Sequence, residues 1–171
     1  MPEPRSRRLV LMRHATAAQE GGADADRRLS DDGRAQATVV GGWLRSTGIE
    51  PDAALVSAAT RAVETWEAVA RGAGWSLTPL VDRGLYTAGS DTALDLIRET
   101  LTEVTTLVVV GHNPTVATVA QLLDDGEGDP VASTEMLLGY PPAAVTVFEY
   151  DGDWDGLGWG TARVAAFRSG R

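Results

Sequence analysis

Two histidines, each closing a short apolar run, are the residues of this 171-residue chain best suited to do chemistry. Arg8-Leu9-Val10-Leu11-Met12 leads into Arg13-His14, and Thr106-Leu107-Val108-Val109-Val110 leads into Gly111-His112-Asn113-Pro114. A neutral imidazole can attack phosphorus, and an adjacent guanidinium can hold phosphoryl oxygens in its planar fork while neutralising their charge. Arg13-His14 therefore suits phosphoryl transfer, although an Arg-His dipeptide can equally be a surface feature with no shared role. In Ser57-Ala58-Ala59-Thr60-Arg61-Ala62-Val63-Glu64-Thr65, Arg61 falls in the opening turn of an expected helix, where free backbone amides already attract anions. It reads either as a second phosphate clamp or as a solvated arginine paired with Glu64 or Glu67. His112 reads either as a hydrogen-bond donor to a phosphoryl oxygen or as a strand-end histidine satisfied within the fold.

The elements that carry these residues follow from the pattern around them. Aliphatic and β-branched runs this short predict strands buried on both faces of a parallel sheet. Both imidazoles then emerge at strand C-terminal ends, the edge at which open α/β sheets bind ligands. A polar loop from Ala15 to Leu29 follows the first strand and is long enough to suggest a function. Ser30 suits an N-cap for a helix with Ala35, Val39, Trp43 and Leu44 at helical spacing, ended by Gly48. Ala53 to Val56 predicts a second strand, followed by a helix through Ala62, Val63, Trp66, Val69 and Ala70 that Gly72 and Gly74 stop.

A weaker extended segment, Ser76 to Val81, passes into a loop from Asp82 to Gly89. Ser90 is expected to cap a helix bearing Ala93, Leu94, Ile97 and Leu101, and Pro114 sits in the first turn of another through Val116, Val119, Ala120 and Leu123. Ala144 to Tyr150 and Thr161 to Phe167 predict an antiparallel hairpin around the loop Asp151 to Gly160. The whole reads as a three-layer α/β/α sandwich with a mostly parallel central sheet and a C-terminal antiparallel hairpin. Asp151-Gly152-Asp153-Trp154-Asp155-Gly156 matches the opening of a calcium loop, but Ala162 stands where the bidentate glutamate is needed, so it is read as a hairpin turn.

Composition sets the remaining expectations. The length suits one domain over 1-171, with 1-7 as a flexible basic tail. A net charge of -9 argues against nucleic-acid or acidic-membrane partners, so any anion must be held by local positive charge. The absence of cysteine removes disulfides, thiol nucleophiles and thiolate metal sites, and the apolar stretch before Arg13 is too short for a signal-peptide core or a membrane span. A cytoplasmic monomer is expected.

Together the three motifs are far more specific than any one of them. A strand ending in Arg-His, a strand followed by Ser-x-x-x-Arg-Ala-x-x-Thr, and a strand ending in Gly-His-Asn-Pro occur in this order in one small α/β chain. The pattern resembles the histidine phosphatase superfamily, also called phosphoglycerate mutase-like, from about Leu9 to Leu123. It includes Asp26-Arg27-Arg28-Leu29-Ser30-Asp31-Asp32-Gly33, which is similar to that family's Asp-Arg-Pro-Leu-Thr-x-x-Gly segment with Arg28 in the proline position. The small size and the Leu85-Tyr86-Thr87-Ala88-Gly89 loop look most similar to the compact SixA branch, associated with phosphohistidine phosphatase activity.

The resemblance implies that His14 is a nucleophile that takes the phosphoryl group until water removes it. Arg13, Arg61 and His112 would surround the equatorial oxygens, with no metal or cofactor required. Arg27, Tyr86 and Asn113 are further candidate substrate contacts. His14 must be neutral to attack whereas His112 helps more as a cation, so different pKa values are expected. Larger family members carry Arg-His-Gly, where this chain has Ala15, and a glutamate general acid after the third strand, where none aligns. Asp82, Tyr86 and Asp26 stand as possible acids. Lack of a clear one favours phosphohistidine protein or another labile phosphate. The alternatives are a small-molecule phosphomonoesterase acting on sugar or nucleotide phosphates and a non-catalytic phosphate or phosphopeptide binding module.

Overall fold

The computed structural model describes residues 6–19 and 22–170. Four strands, β1 (Ser6–Arg13), β2 (Ala53–Ser57), β3 (Leu80–Asp82) and β4 (Thr106–Gly111), pair in parallel, and β5 (Val145–Asp151) and β6 (Arg163–Arg168) add an antiparallel hairpin. The sheet order is β3-β2-β4-β1-β5-β6, which puts the two runs that end in histidine side by side at its centre. Alternate residues of each run enter opposite cores, as burial on both faces requires. Leu9, Leu11, Leu107 and Val109 face one cluster, and Val10, Met12, Val108 and Val110 face the other.

Helices α1 (Asp31–Ser46) and α2 (Thr60–Ala73) cover the second cluster. The short α3 (Arg83–Thr87) together with α4 (Ser90–Arg98), α5 (Thr115–Leu123) and α6 (Pro130–Leu138) contributes to the first. The expected three-layer α/β sandwich with a C-terminal hairpin is the fold observed. Among the described residues no helix is long and apolar enough to cross a membrane.

Several boundaries depart from expectation for identifiable reasons. Ser6 and Arg7 belong to β1 and not to a flexible tail, whose residues 1–5 lie outside the described residues. Arg7 is fully buried, donating to the carbonyls of Val104, Thr102 and Gly152, pairing with Asp153, and lying 5.8 Å over the Trp154 ring. A guanidinium can be buried at this edge because carbonyls and a carboxylate meet its donors. The loop beyond β5 is thereby tied down: Asp153 pairs with Arg7, Asp151 with Arg163, and Trp154 is buried with its Nε1 donating to Val104 O at 2.7 Å. The expected hairpin turn is built around a 3₁₀ turn, Trp154–Gly156.

In α1 the expected Ala35 and Val39 point to solvent, and the buried stripe is Gly33, Ala37, Val40, Gly41 and Leu44. Close approach of α2 selects that stripe. A Cβ on Gly41 would lie 2.1 Å from Val69 O, and one on Gly72 2.1 Å from Thr38 O, so Gly72 is a packing residue within α2 and Gly74 alone ends it, at φ 75°. Gly89, not Ser90, stands at the N-cap of α4, Leu101 lies beyond that helix exposed, and Pro114 is the N-cap of α5. Residues 124–143, for which no element was expected, hold α6. Asp129 caps it by accepting from Val131 N and Ala132 N, and Pro130 opens it. Only Ala132 and Met136 of α6 are buried while Val131, Leu137 and Leu138 are exposed, so its apolar residues form no single stripe.

The glycine crossing gives the first prediction. Gly41→Ala should cost about 2 kcal/mol by forcing α1 and α2 apart, despite alanine's higher helix propensity. Urea unfolding of the variant measures it, and an unchanged midpoint would mean that the two helices do not need this approach.

Candidate active site

Strand register brings the two histidines together. Arg13 of β1 pairs with Gly111 of β4, so the next residue of each strand, His14 and His112, lie beside one another with ring centroids 5.2 Å apart. Beyond the end of β1 the backbone remains clamped. His14 N donates to Gly111 O at 2.9 Å, and Ala143 N donates to His14 O at 3.0 Å. Arg61 arrives from the other neighbour of β4, since β2 leads directly into the first turn of α2.

The His14 side chain is oriented by its own loop. Nδ1 lies 2.7 Å from Ala15 O, which can only accept, so Nδ1 carries the proton and Nε2 carries a lone pair. Arg61 Nε stands 3.4 Å from that Nε2. Burial pushes the His14 imidazole down to about 4, and the charges of His112, Arg61 and Arg13 push the same way against the bond to Ala15. The ring is neutral near pH 7, the form with a nucleophilic lone pair.

His112 Nε2 lies 2.7 Å from Ser57 Oγ, and its buried Nδ1 has no partner among the described residues. Burial and then Arg61 push it down to about 4 as well, Asp24 opposing. The expected divergence of the two histidines is therefore not present in this site: both rings are buried beside the same guanidinium groups. Arg13 donates from Nη1 to Tyr140 O at 3.1 Å, and its buried Nε has no partner among the described residues. Two such buried nitrogens beside the Arg13 and Arg61 guanidinium groups suit an anion that accepts hydrogen bonds.

Residues behind these are committed to holding them. Thr65 Oγ1 accepts from Ala15 N at 3.0 Å and donates to Arg61 O at 2.6 Å, joining α2 to the turn after β1. Glu64 accepts from Leu29 N, Arg28 and Arg34, so it is not the partner of Arg61. Asn113 donates to Tyr140 O at 2.8 Å and accepts from Ala117 N at 3.2 Å, using both ends of its amide inside the protein. Asp82 caps α3 by accepting from Leu85 N.

The Arg61 partner is Asp24, which opens a 3₁₀ turn, Asp24–Asp26, in the loop after His14. Arg61 donates from Nη1 to Asp24 O at 2.8 Å and from Nη2 to Asp24 Oδ2 at 3.0 Å, and the Tyr86 hydroxyl makes a short bond to the same Oδ2. Tyr86 also sets its ring edge-on to His112, centroids 5.4 Å apart. Arg27 reaches the site only through Asp24, 3.3 Å from Oδ1. Asp26 is exposed. The sequence reading passed over Asp24 and Ser57 as site residues. Ser57 was already in the motif, but the contact of Asp24 is made by an irregular loop with no periodicity to reveal it.

Residues 9–86 match the family model of the histidine phosphatase superfamily, branch 1. A Mycobacterium tuberculosis protein described as uncharacterised is 35% identical over 158 residues, covering 91% of this chain and 98% of the relative. The phosphohistidine phosphatase SixA of Escherichia coli K12 is 28% identical over 151 residues, covering 82% and 86%. Among solved structures, a candidate phosphohistidine phosphatase SixA from Nakamurella multipartitia superposes with a TM-score of 0.83 at 30% identity, covering 98% of each chain.

The buried histidines give a direct test, since the chain has only two and both are assignable. Imidazole NMR signals should show neither ring titrating between pH 8 and pH about 5, because burial lowers both from 6.5 to about 4. A midpoint near 6.5 for either would mean a ring solvated as in water.

Proposed function

The chain belongs to the histidine phosphatase superfamily, and we propose that it removes phosphoryl groups through a phosphohistidine formed on His14. The observation that carries this reading is the orientation of His14: Nδ1 anchored on Ala15 O, and a neutral Nε2 held 3.4 Å from Arg61 Nε. In the first step His14 Nε2 forms a bond to phosphorus as the bond to the leaving nitrogen or oxygen breaks. In the second, water attacks the phosphohistidine, losing a proton and releasing orthophosphate and neutral His14. Arg13 and Arg61 meet the negative charge that spreads over the phosphoryl oxygens, which is where most catalysis of this transfer lies. His112 adds a donor, and a dianion beside it would raise its pKa, restoring the cationic form that burial and Arg61 disfavour.

We infer a labile substrate, phosphohistidine protein or another activated phosphate. Among the described residues Asp24 is the only carboxylate bonded to Arg61 or Tyr86, and those two groups hold its carboxyl down to about 2, ionised and unable to donate a proton. Asp82 is taken by its helix cap. An alkoxide leaving group needs the proton that neither supplies, whereas the imidazole of a phosphohistidine or the carboxylate of an acyl phosphate departs more readily. The reading includes a single-domain monomer acting without metal or cofactor on a phosphorylated protein or small metabolite.

His14→Ala should abolish turnover and the radiolabelled phosphoenzyme, by at least about 10³-fold, and His112→Ala should slow transfer about 10²- to 10³-fold. Single-turnover assays with an activated aryl phosphate measure both, and an active His14→Ala protein would end the reading. Phosphohistidine peptide or phosphoramidate should be hydrolysed at least about 10²-fold faster than 3-phosphoglycerate. Equal kcat/KM for the two would place a proton donor in the site and favour a phosphomonoesterase.

A further inference from the structure

Asp24 plays no part in that chemistry, yet it holds the arginine on which the chemistry depends. Its Oδ2 takes Arg61 Nη2 and the Tyr86 hydroxyl, its Oδ1 takes Arg27 Nη1, and its carbonyl takes Arg61 Nη1. Arg61 therefore gives one donor from each terminal nitrogen to a single loop residue, and its Nε is directed at His14. A carboxylate and a phosphoryl group ask the same things of a guanidinium, its terminal donors and its positive charge, and a phosphoryl group placed on Nη1 and Nη2 meets Asp24 there.

The loop is built so that Asp24 can give way. Its side chain is 53% exposed, whereas that of Arg61 is 9% exposed. The 3₁₀ turn that carries it contains no buried residue. Below the turn the loop is closed independently, by Ala18 N on Arg28 O and Ser30 N on Thr16 O. Displacing Asp24 thus breaks two exposed and two part-buried contacts and leaves the supports of His14 and Arg61, made through Ala15 and Thr65, in place.

We propose that Asp24 is a built-in stand-in for the phosphoryl group, which occupies Arg61 until substrate binds, must be displaced by substrate, and competes orthophosphate off the enzyme after hydrolysis. The proposal rests on the phosphatase reading only in assigning Arg61 to phosphoryl oxygens. No covalent bond changes: one charge-assisted pair is exchanged for another, and Asp24 moves into water. Because the carboxyl is held at about 2 by Tyr86 and Arg61, it remains a full competitor at every pH at which the enzyme would work. The device lowers affinity for small phosphoryl anions, product included, and leaves substrates to recover it through contacts outside the phosphate.

Orthophosphate binding to the full chain, measured by calorimetry at pH 7.5, tests this. Asp24→Asn should bind orthophosphate about five-fold tighter than the parent, as expected for removing a partly exposed charged competitor. KM for an aryl phosphate should fall by a similar factor, with kcat unchanged or lower because product leaves more slowly. Asp26→Asn makes the same charge change two residues away with no bond to Arg61, and should shift binding by less than about two-fold. Tyr86→Phe removes one support of Asp24 and should move binding in the same direction by less, and it decides by the same criterion if Asp24→Asn does not fold. Unchanged or weaker binding in Asp24→Asn, or equal tightening in Asp26→Asn, overturns the proposal. The binding measurement needs no turnover. Tighter orthophosphate with no hydrolysis and no phosphoenzyme would sink the phosphatase reading alone, and normal hydrolysis with unchanged binding would sink this one alone.

Discussion

The parallel register of β1 against β4 is the constraint on which the site depends. Arg13 opposite Gly111 makes the next residues, His14 and His112, neighbours by construction. A slip of one residue would turn the alternating runs inside out, exchanging which of Leu9 and Val10 enters which core. Since both faces are buried, the register is held by two separate clusters at once. The chemistry is therefore positioned by the hydrophobic core, through backbone ladders that extend past the last strand residue to clamp His14 on both sides.

Electrostatics then decides the state in which those residues wait. Burial first, and the neighbouring guanidinium groups after it, disfavour a charge on either imidazole, and the rings, which can shed a proton, do so. What remains is a site with positive charge from Arg13 and Arg61, a lone pair on His14 that faces Arg61 Nε, and nitrogens on Arg13 and His112 unmatched among the described residues. Among the described residues Asp24 supplies the one anion in contact with Arg61, while Glu64, one turn along the same helix, is drawn away to Arg28, Arg34 and Leu29 N. The division of labour between these two carboxylates separates a support of the loop from a group that meets the pocket.

The repeated strand–helix pattern, the C-terminal hairpin and three short motifs made the architecture and four residues that meet at one sheet edge legible, because buried runs and capped helices leave periodic marks in a sequence. What escaped notice left no such mark. Helix α6 has a proper Asp129-Pro130 start, but apolar residues on its exposed side blur the stripe. The buried face of α1 could be drawn through Ala35 and Val39 as easily as through Ala37 and Val40, until α2 closes on Gly41 and Gly72. Arg7 read as tail because its partners are carbonyls at positions 97 and 145 residues away, plus Asp153.

By itself the sequence determined which side chains could handle a phosphoryl group and that they stand at strand ends and a helix start. Local chemistry suffices for that: a strand, a cap or an Arg-His pair is written in adjacent residues. Only the tertiary structure decided that both histidines are neutral, that Asn113 and Asp82 are occupied in holding the fold, and that Asp24 lies against Arg61. Each of those depends on burial or on a contact made by an irregular loop, and neither burial depth nor the path of such a loop is encoded in any spacing along the chain.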